Sequence, residues 1–393
     1  MAPLTGIKVV EMGVMIAVPA ASESLAGLGA SVIKVEDTAR GDELRSFGSS
    51  RGGMSVWFAN ANAGKRGLSV DLATDGGKDI LWKVLEDADV FIQGFRSGVV
   101  AKLGFDYESV SKKFPKLIYC SSTGFGESGP YENLPAYDPV IQAMTGWAGF
   151  QKVDGKPTLH KAMVSDKTAA VFNTQAILAA LVQRARTGEG CFIEASMMSS
   201  NLMYNWPDVM MHCSLLEEDG NHLPNLLSSY RLYECQDGFI TVALGTDKQF
   251  RSFCEALDAT EHLADERLAS AATRAANMQF VFSLIGEITA RFDVTTIVSR
   301  LRKADVPVGP VLDPNEVVND EHVKDRHLVR ERTHPILGRH LGAVHPASMF
   351  GEDLDLSPAP MQGEHSREII SELGYNEETL ETLISSGVVK TFE

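Results

Sequence analysis

The sequence predicts an α/β protein: a Rossmann-like large domain built on a mostly parallel sheet, with a smaller α+β domain. Three observations predict it. Short apolar runs of strand length alternate with helix-length amphipathic stretches from residue 7 to about residue 121. The texture changes near Leu226, where strands such as Phe239–Ala243 are followed by charged helices. Hydrophobic residues make up 44% of the 393, enough for a sizeable core in one large domain or two ordinary ones.

Taken in order, Ile7–Glu11 reads as a short buried strand, Pro19–Leu28 as a helix and Ala30–Glu36 as a second strand, which is a βαβ unit. The pattern resumes with the strand Leu68–Leu72, the helix Lys78–Glu86, and the strands Val90–Gln93 and Leu117–Ser121. Further on, Asp138 and Asp166 stand at the entrances to two helices, with a hairpin-like segment between them. Ala169–Val182, interrupted by Asn173, Thr174 and Gln175, reads as a buried core helix too short to span a bilayer. The large domain is expected to begin with residues 1–225, and the small domain to occupy 226–320.

Charge and cysteine usage narrow the function classes. Lys plus Arg number 36 against 52 Asp plus Glu, a net charge of −16 that disfavours broad binding to nucleic acid or an anionic membrane. A polyanionic ligand would need local basic residues. The five cysteines are odd in number, scattered and free of CxxC spacing, as expected of reduced thiols in a cytoplasmic protein rather than a zinc site or a disulfide framework. The ten histidines show no metal-ligand spacing, so no metal is expected. The N-terminus lacks the apolar core of a secretory signal.

Gly124–Gly129, GFGESG, is a literal GxGxxG, but it neither follows the first strand nor opens a helix. A dinucleotide fingerprint requires both, so the glycines are expected to make tight turns or let backbone pass close to a ligand. Asp138 and Asp166 allow two readings. A carboxylate at a helix N-terminus can face a cleft while the end amides stabilise its charge; it can equally be a helix cap, with Pro139 in the first turn favouring that role for Asp138.

The words around these residues resemble the class III CoA-transferases, the formyl-CoA transferase and carnitine CoA-transferase (CaiB/BaiF) family. The pattern G-F-G-x-x-G-P-Y falls at Gly124–Tyr131, Y-D-x-x-x-Q-A-x-x-G at Tyr137–Gly146, and the lone downstream Asp at Asp166. The likeness extends through LGASVIKVE (Leu28–Glu36), GKRGLSVDL (Gly64–Leu72), ADVFIQGFRSGVVAKLGFDY (Ala88–Tyr107), VPVGPVLDPNEVV (Val306–Val318) and MQGEHSREIISELGY (Met361–Tyr375). It covers nearly the whole chain in order.

The resemblance implies an enzyme that moves CoA from an acyl-CoA to a free carboxylic acid. Asp166 is implied as nucleophile, forming an aspartyl anhydride and then an aspartyl-CoA thioester, with Asp138 and Tyr137 supporting. At a reference pKa near ~3.9, Asp166 would be almost wholly ionised at pH 7. Implied CoA contacts are Ile16, Ala17, Val70, Asp71, Leu72, Ala73, Gly94, Phe95, Arg96 and Lys102, with Arg40 and Arg66 as further phosphate partners. CoA is then a substrate, with no permanently bound cofactor. Residues 321–393 are implied to return to the large domain, and the chain to form an interlocked homodimer, a threading that sequence physics alone would never suggest.

Three departures from formyl-CoA transferase stand out. Formyl-CoA transferase has glutamine at the position of Ile16 and arginine at that of Asp37, and its glycine-rich lid is not recognisable here. Related α-methylacyl-CoA racemases carry histidine where Tyr137 stands, and a tyrosine of pKa near ~10 is a poor base. Racemase activity and a non-catalytic CoA-binding role are the competing readings. A dicarboxylate acceptor such as malate, mesaconate or itaconate fits, as does a bulkier acid lodged against Trp57, Phe58, Trp147 and the Met-rich run Met197–His212.

Overall fold

A computed structural model describes residues 2–217, 219–220, 226–346 and 356–392. The expected boundary residue 225, and residues 347–355 of the expected return to the large domain, lie outside the described residues. The chain divides into two compact units, Met1–Glu217 with His327–Glu393, and Glu218–Arg326.

The first unit is built on a seven-stranded sheet. Its strands are β1 (Lys8–Met12), β2 (Ser31–Glu36), β3 (Lys65–Val70), β4 (Val90–Gln93), β5 (Ile118–Thr123), β6 (Phe192–Ser196) and β7 (Val389–Lys390). They lie in the order β6-β5-β4-β1-β2-β3-β7. Every pairing is parallel except that of β7 with β3. The strands are near-continuous apolar runs because both faces are covered. Side chains alternate accordingly: Val10, Met12 and Phe91 enter one core with Ile80 and Leu81 of helix α2 (Asp75–Glu86). Val9, Val90 and Ile92 enter the other, with Ala21 and Leu25 of α1 (Ala17–Gly27) and Ala170 and Ile177 of a long helix, Val164–Thr187.

The chain runs outward from β1 to β2 and β3, then returns to the other side of β1 for β4, β5 and β6. That reversal puts a topological switch point between β1 and β4, the place where such sheets bind ligands at the carboxyl ends of their strands. The turns after β1 and β4 meet closely there. A Cβ on Gly94 would lie 2.9 Å from Val18 Cγ2 and one on Gly13 2.4 Å from Val18 Cβ, so both positions need glycine.

Two expected elements differ most. The strand foreseen at Leu68–Leu72 begins at Lys65 and ends at Val70, because the Lys65 ammonium is drawn inward to Glu11 on β1, 2.7 Å away. The helix foreseen as a buried core helix at Ala169–Val182 runs from Val164 to Thr187, and Val171 and Val182 are exposed, so only one side of it is core.

The second unit carries a three-stranded antiparallel sheet of Tyr233–Glu234, Phe239–Val242 and Val308–Pro310. Helices Asp247–Ala256, Met278–Thr289 and Val294–Lys303 cover it, burying Phe250, Phe253, Leu284, Ile288, Ile297 and Leu301.

Candidate active site

Asp138 and Asp166 lie 28 residues apart in sequence and meet through one hydrogen-bonded corner. Asp138 is the first residue of α3 (Asp138–Met144), and Asp166 the third residue of the Val164–Thr187 helix, α4. Neither helix has a side-chain cap of its own. Asp138 instead reaches across: its Oδ2 accepts from the backbone N–H of Ser165 at 2.7 Å and of Asp166 at 3.1 Å. The expected capping of α3 by Asp138 is therefore corrected. It caps α4, whose first-turn amides are the donors a carboxylate satisfies best.

The other side of Asp138 is held by Gln142, one turn along α3, whose Nε2 donates to Oδ1 at 2.5 Å. Gln142 Oε1 accepts from His160 N–H at 2.9 Å, tying α3 to the segment that leads into α4. Asn201, buried on α5 (Met197–Asn205), donates to the carbonyls of Ser165 (3.1 Å) and Met197 (2.7 Å). Its Oδ1 accepts from Trp147 Nε1 at 2.8 Å. Trp147 stacks on Tyr204 and meets His160 edge-on. Gln142 and Asn201 escaped the sequence reading; Q-A-x-x-G marked the first only as a family word.

Asp166 is 8% exposed. Burial, and after it the negative charge of Asp138, push its carboxyl up to about 7. The expectation of near-complete ionisation at pH 7 is thereby corrected: the carboxyl takes up its proton near neutrality instead of near pH 4. Tyr137, just before Asp138, is 56% exposed.

The GFGESG loop follows β5. A Cβ on Gly124 would collide with Ala136, 2.2 Å away, and the Gly124 carbonyl accepts from Met198 N–H at 3.0 Å. The loop thus packs against the segment leading into Asp138 and against the start of α5, and opens no helix.

The remaining expected residues sit on successive turns at the carboxyl edge of the sheet. Ile16 and Ala17 follow β1, Arg40 follows β2, Asp71, Leu72 and Ala73 follow β3, and Gly94, Phe95 and Arg96 follow β4. Arg40, Arg96 and Lys102 are exposed. Three of the expected residues are engaged elsewhere in this structure. Arg66 is engaged by Glu368 at 3.0 Å and Glu372 at 2.9 Å, so its charge is already matched. Val70 is sealed in the hydrophobic core. Phe58, proposed as a pocket wall, is fully buried beneath Leu44 and Met54. Trp57 remains exposed.

Among the described residues, no group of three or more His, Cys, Asp or Glu is arranged to hold a metal, and no helix is long and apolar enough to cross a membrane.

A doubly wound parallel sheet with a switch point between β1 and β4 is an architecture that commonly binds nucleotide-type ligands at the carboxyl ends of its strands. The chain belongs to CoA-transferase family III, whose description matches residues 4–366. It is 33% identical to a succinate–glutarate CoA-transferase of Agrobacterium fabrum, over 96% of this chain and 97% of that protein. A mouse succinyl-CoA:glutarate CoA-transferase is 29% identical over 100% and 92% of the two chains. An acetyl-CoA:oxalate CoA-transferase of Acetobacter aceti is 32% identical over 83% and 85%. Among solved structures, a CaiB/BaiF family protein from Brucella suis superposes with a TM-score of 0.83 at 32% identity, covering 95% of this chain and 99% of that one. The protein is thus a family III CoA-transferase, an enzyme whose substrates are CoA thioesters and carboxylates.

Proposed function

We propose that the enzyme transfers CoA from succinyl-CoA to a dicarboxylic acid of four to six carbons, glutarate foremost, with Asp166 as the covalent nucleophile. The observation that carries this reading is the pair of buried carboxylates at the start of α4. One is fixed by two backbone amides and the other raised to about 7.

An Asp166 oxygen attacks the thioester carbonyl and CoA leaves as thiolate, giving a mixed anhydride. The thiolate then attacks the Asp166 carbonyl, releases the donor carboxylate and forms the aspartyl-CoA thioester. The acceptor carboxylate attacks that carbonyl, expelling the thiolate and forming a second anhydride. Thiolate attack on the acceptor acyl carbon releases the new acyl-CoA and frees Asp166. Each bond made replaces one of similar energy, so the scheme asks for no metal or redox partner. A carboxylate is a weak nucleophile toward a thioester. Its raised basicity helps the ionised fraction, and rigid positioning supplies most of the rest, roughly 7–11 kcal/mol in well-oriented systems.

In this scheme Asp138 holds the first turn of α4 in place, and Tyr137 lines the approach as a wall or hydrogen-bond donor. CoA lies along the turns bearing Ile16, Ala17, Asp71–Ala73 and Gly94–Arg96, with Arg40 and Lys102 toward its phosphates. The relatives named for succinate and glutarate support a dicarboxylate pair. Apolar Ile16, standing where formyl-CoA transferase has glutamine, supports an acyl chain longer than formyl or oxalyl. Homodimerisation is part of the proposal, supported by the exposed apolar side chains of Met203, Tyr204, Trp206 and Leu216.

The test is an exchange assay with succinyl-CoA and a panel of oxalate, malate, itaconate, glutarate and an aromatic acid. Glutaryl-CoA should form fastest. Preference for oxalate or for the aromatic acid would overturn the substrate assignment.

A further inference from the structure

Beneath the turn joining β1 to α1 lies a set of buried charges that the scheme above leaves unused. Glu11, Lys34, Asp42 and Lys65 are each 1% exposed or less. Glu11 receives Lys34 on one carboxylate oxygen at 2.8 Å and Lys65 on the other at 2.7 Å. Lys34 continues to Asp42 Oδ2 at 3.0 Å.

Two of these groups also grip the turn itself. Lys34 Nζ donates to the Gly13 carbonyl at 2.8 Å, and Asp42 Oδ1 accepts from the Met15 amide at 3.0 Å. Met15 sits at φ +64°, in the left-handed region that a side chain with a Cβ rarely adopts. Buried ion pairs are weak evidence of stability, since well-packed apolar residues often do as well. Fixing one backbone conformation is a task that apolar residues could not perform here, because only polar groups can hold the Gly13 carbonyl and the Met15 amide.

We infer that Lys34 and Asp42 are positioning residues for the thioester: through Gly13 and Met15 they set the turn that presents Ile16 and Ala17 to the switch-point crevice. The inference rests on the CoA site proposed above.

Asp42→Asn in the full-length enzyme tests it. Asparagine has one acceptor oxygen where aspartate has two, so either Lys34 loses one of its two carboxylate partners or the Met15 amide loses its acceptor. Three readouts are taken: hydrogen–deuterium exchange of the peptide spanning Met15, the Kd of free CoA by calorimetry, and Tm. The expected result is faster exchange at the turn and a Kd raised about tenfold, the equivalent of one charge-assisted hydrogen bond. Glycine adopts φ +64° without penalty, so adding Met15→Gly to Asp42→Asn should recover most of the CoA affinity. A purely structural role predicts a lower Tm with Kd unchanged and no rescue by glycine, and that result overturns the inference. Should Asp42→Asn not fold, Met15→Val leaves the buried charges intact while disfavouring the left-handed turn; it should raise Kd, and an unchanged Kd overturns the inference equally. If the wild-type enzyme binds no CoA, the CoA-transferase site itself fails and the inference with it. Wild-type binding that survives the substitutions defeats the inference alone.

Discussion

Asp166 is held in tension between chemistry and stability. Its carboxyl titrates at about 7 in the folded enzyme against 3.8 for an ordinary aspartate, so the folded state holds the proton more tightly than the unfolded chain does. The stability this provides is fully present below about pH 4 and is lost as pH rises through 7. Asp166→Asn removes the titration. Relative to wild type, the variant should gain stability from pH 5 to pH 8, ending on the order of 2–4 kcal/mol more stable in urea unfolding. A stability difference that does not change with pH would contradict the burial argument. None of this was legible in the sequence. The residue type and its place before an alanine-rich helix marked Asp166, but the burial and the Asp138 charge that set its ionisation belong to the folded surroundings.

The elements around the site are locked to one another by side chains acting across helices. Asp138 caps α4 from α3, and Gln142 completes the lock by satisfying Asp138 Oδ1 and the His160 amide together. Local spacing can suggest that an Asp caps its own helix, but nothing in it says that the cap is delivered to a helix starting 26 residues later. The same blindness explains Arg66. In the GKRG word it looked like a phosphate ligand, yet it is claimed by Glu368 and Glu372, some 300 residues further on. Gln142→Leu should strand a buried carboxylate oxygen and a backbone amide, costing about 1–3 kcal/mol of stability. It should also lower kcat more than it raises KM, because the start of α4 carries the nucleophile. Chemical denaturation and steady-state kinetics measure both; an unaltered kcat would show that Gln142 is packing alone.

At the scale of the whole molecule, the parallel sheet was the most legible feature. Apolar strand-length runs separated by helices leave few arrangements, and residues such as Val90–Gln93 became strands as expected. Charged residues within those runs, Glu11 and Lys34, were a signal that went unread: a carboxylate and an ammonium inside buried strands must find each other. They do so together with Lys65, whose ammonium and that of Lys34 outweigh the effect of burial and hold Glu11 at about 2. Assembly lies further from sequence physics. The proposed homodimer should sediment as two chains of 42.7 kDa at micromolar concentration, and a monomeric boundary there would refute it.

The central claim is that Asp166 becomes covalently acylated and then carries CoA. Its most direct test is intact-protein mass spectrometry after mixing the enzyme with succinyl-CoA, with hydroxylamine or borohydride added to trap the activated carboxyl. The account predicts an adduct that maps to Asp166 and vanishes in Asp166→Ala. Exchange between succinyl-CoA and glutarate with no adduct at Asp166, or an adduct that survives its removal, would contradict it.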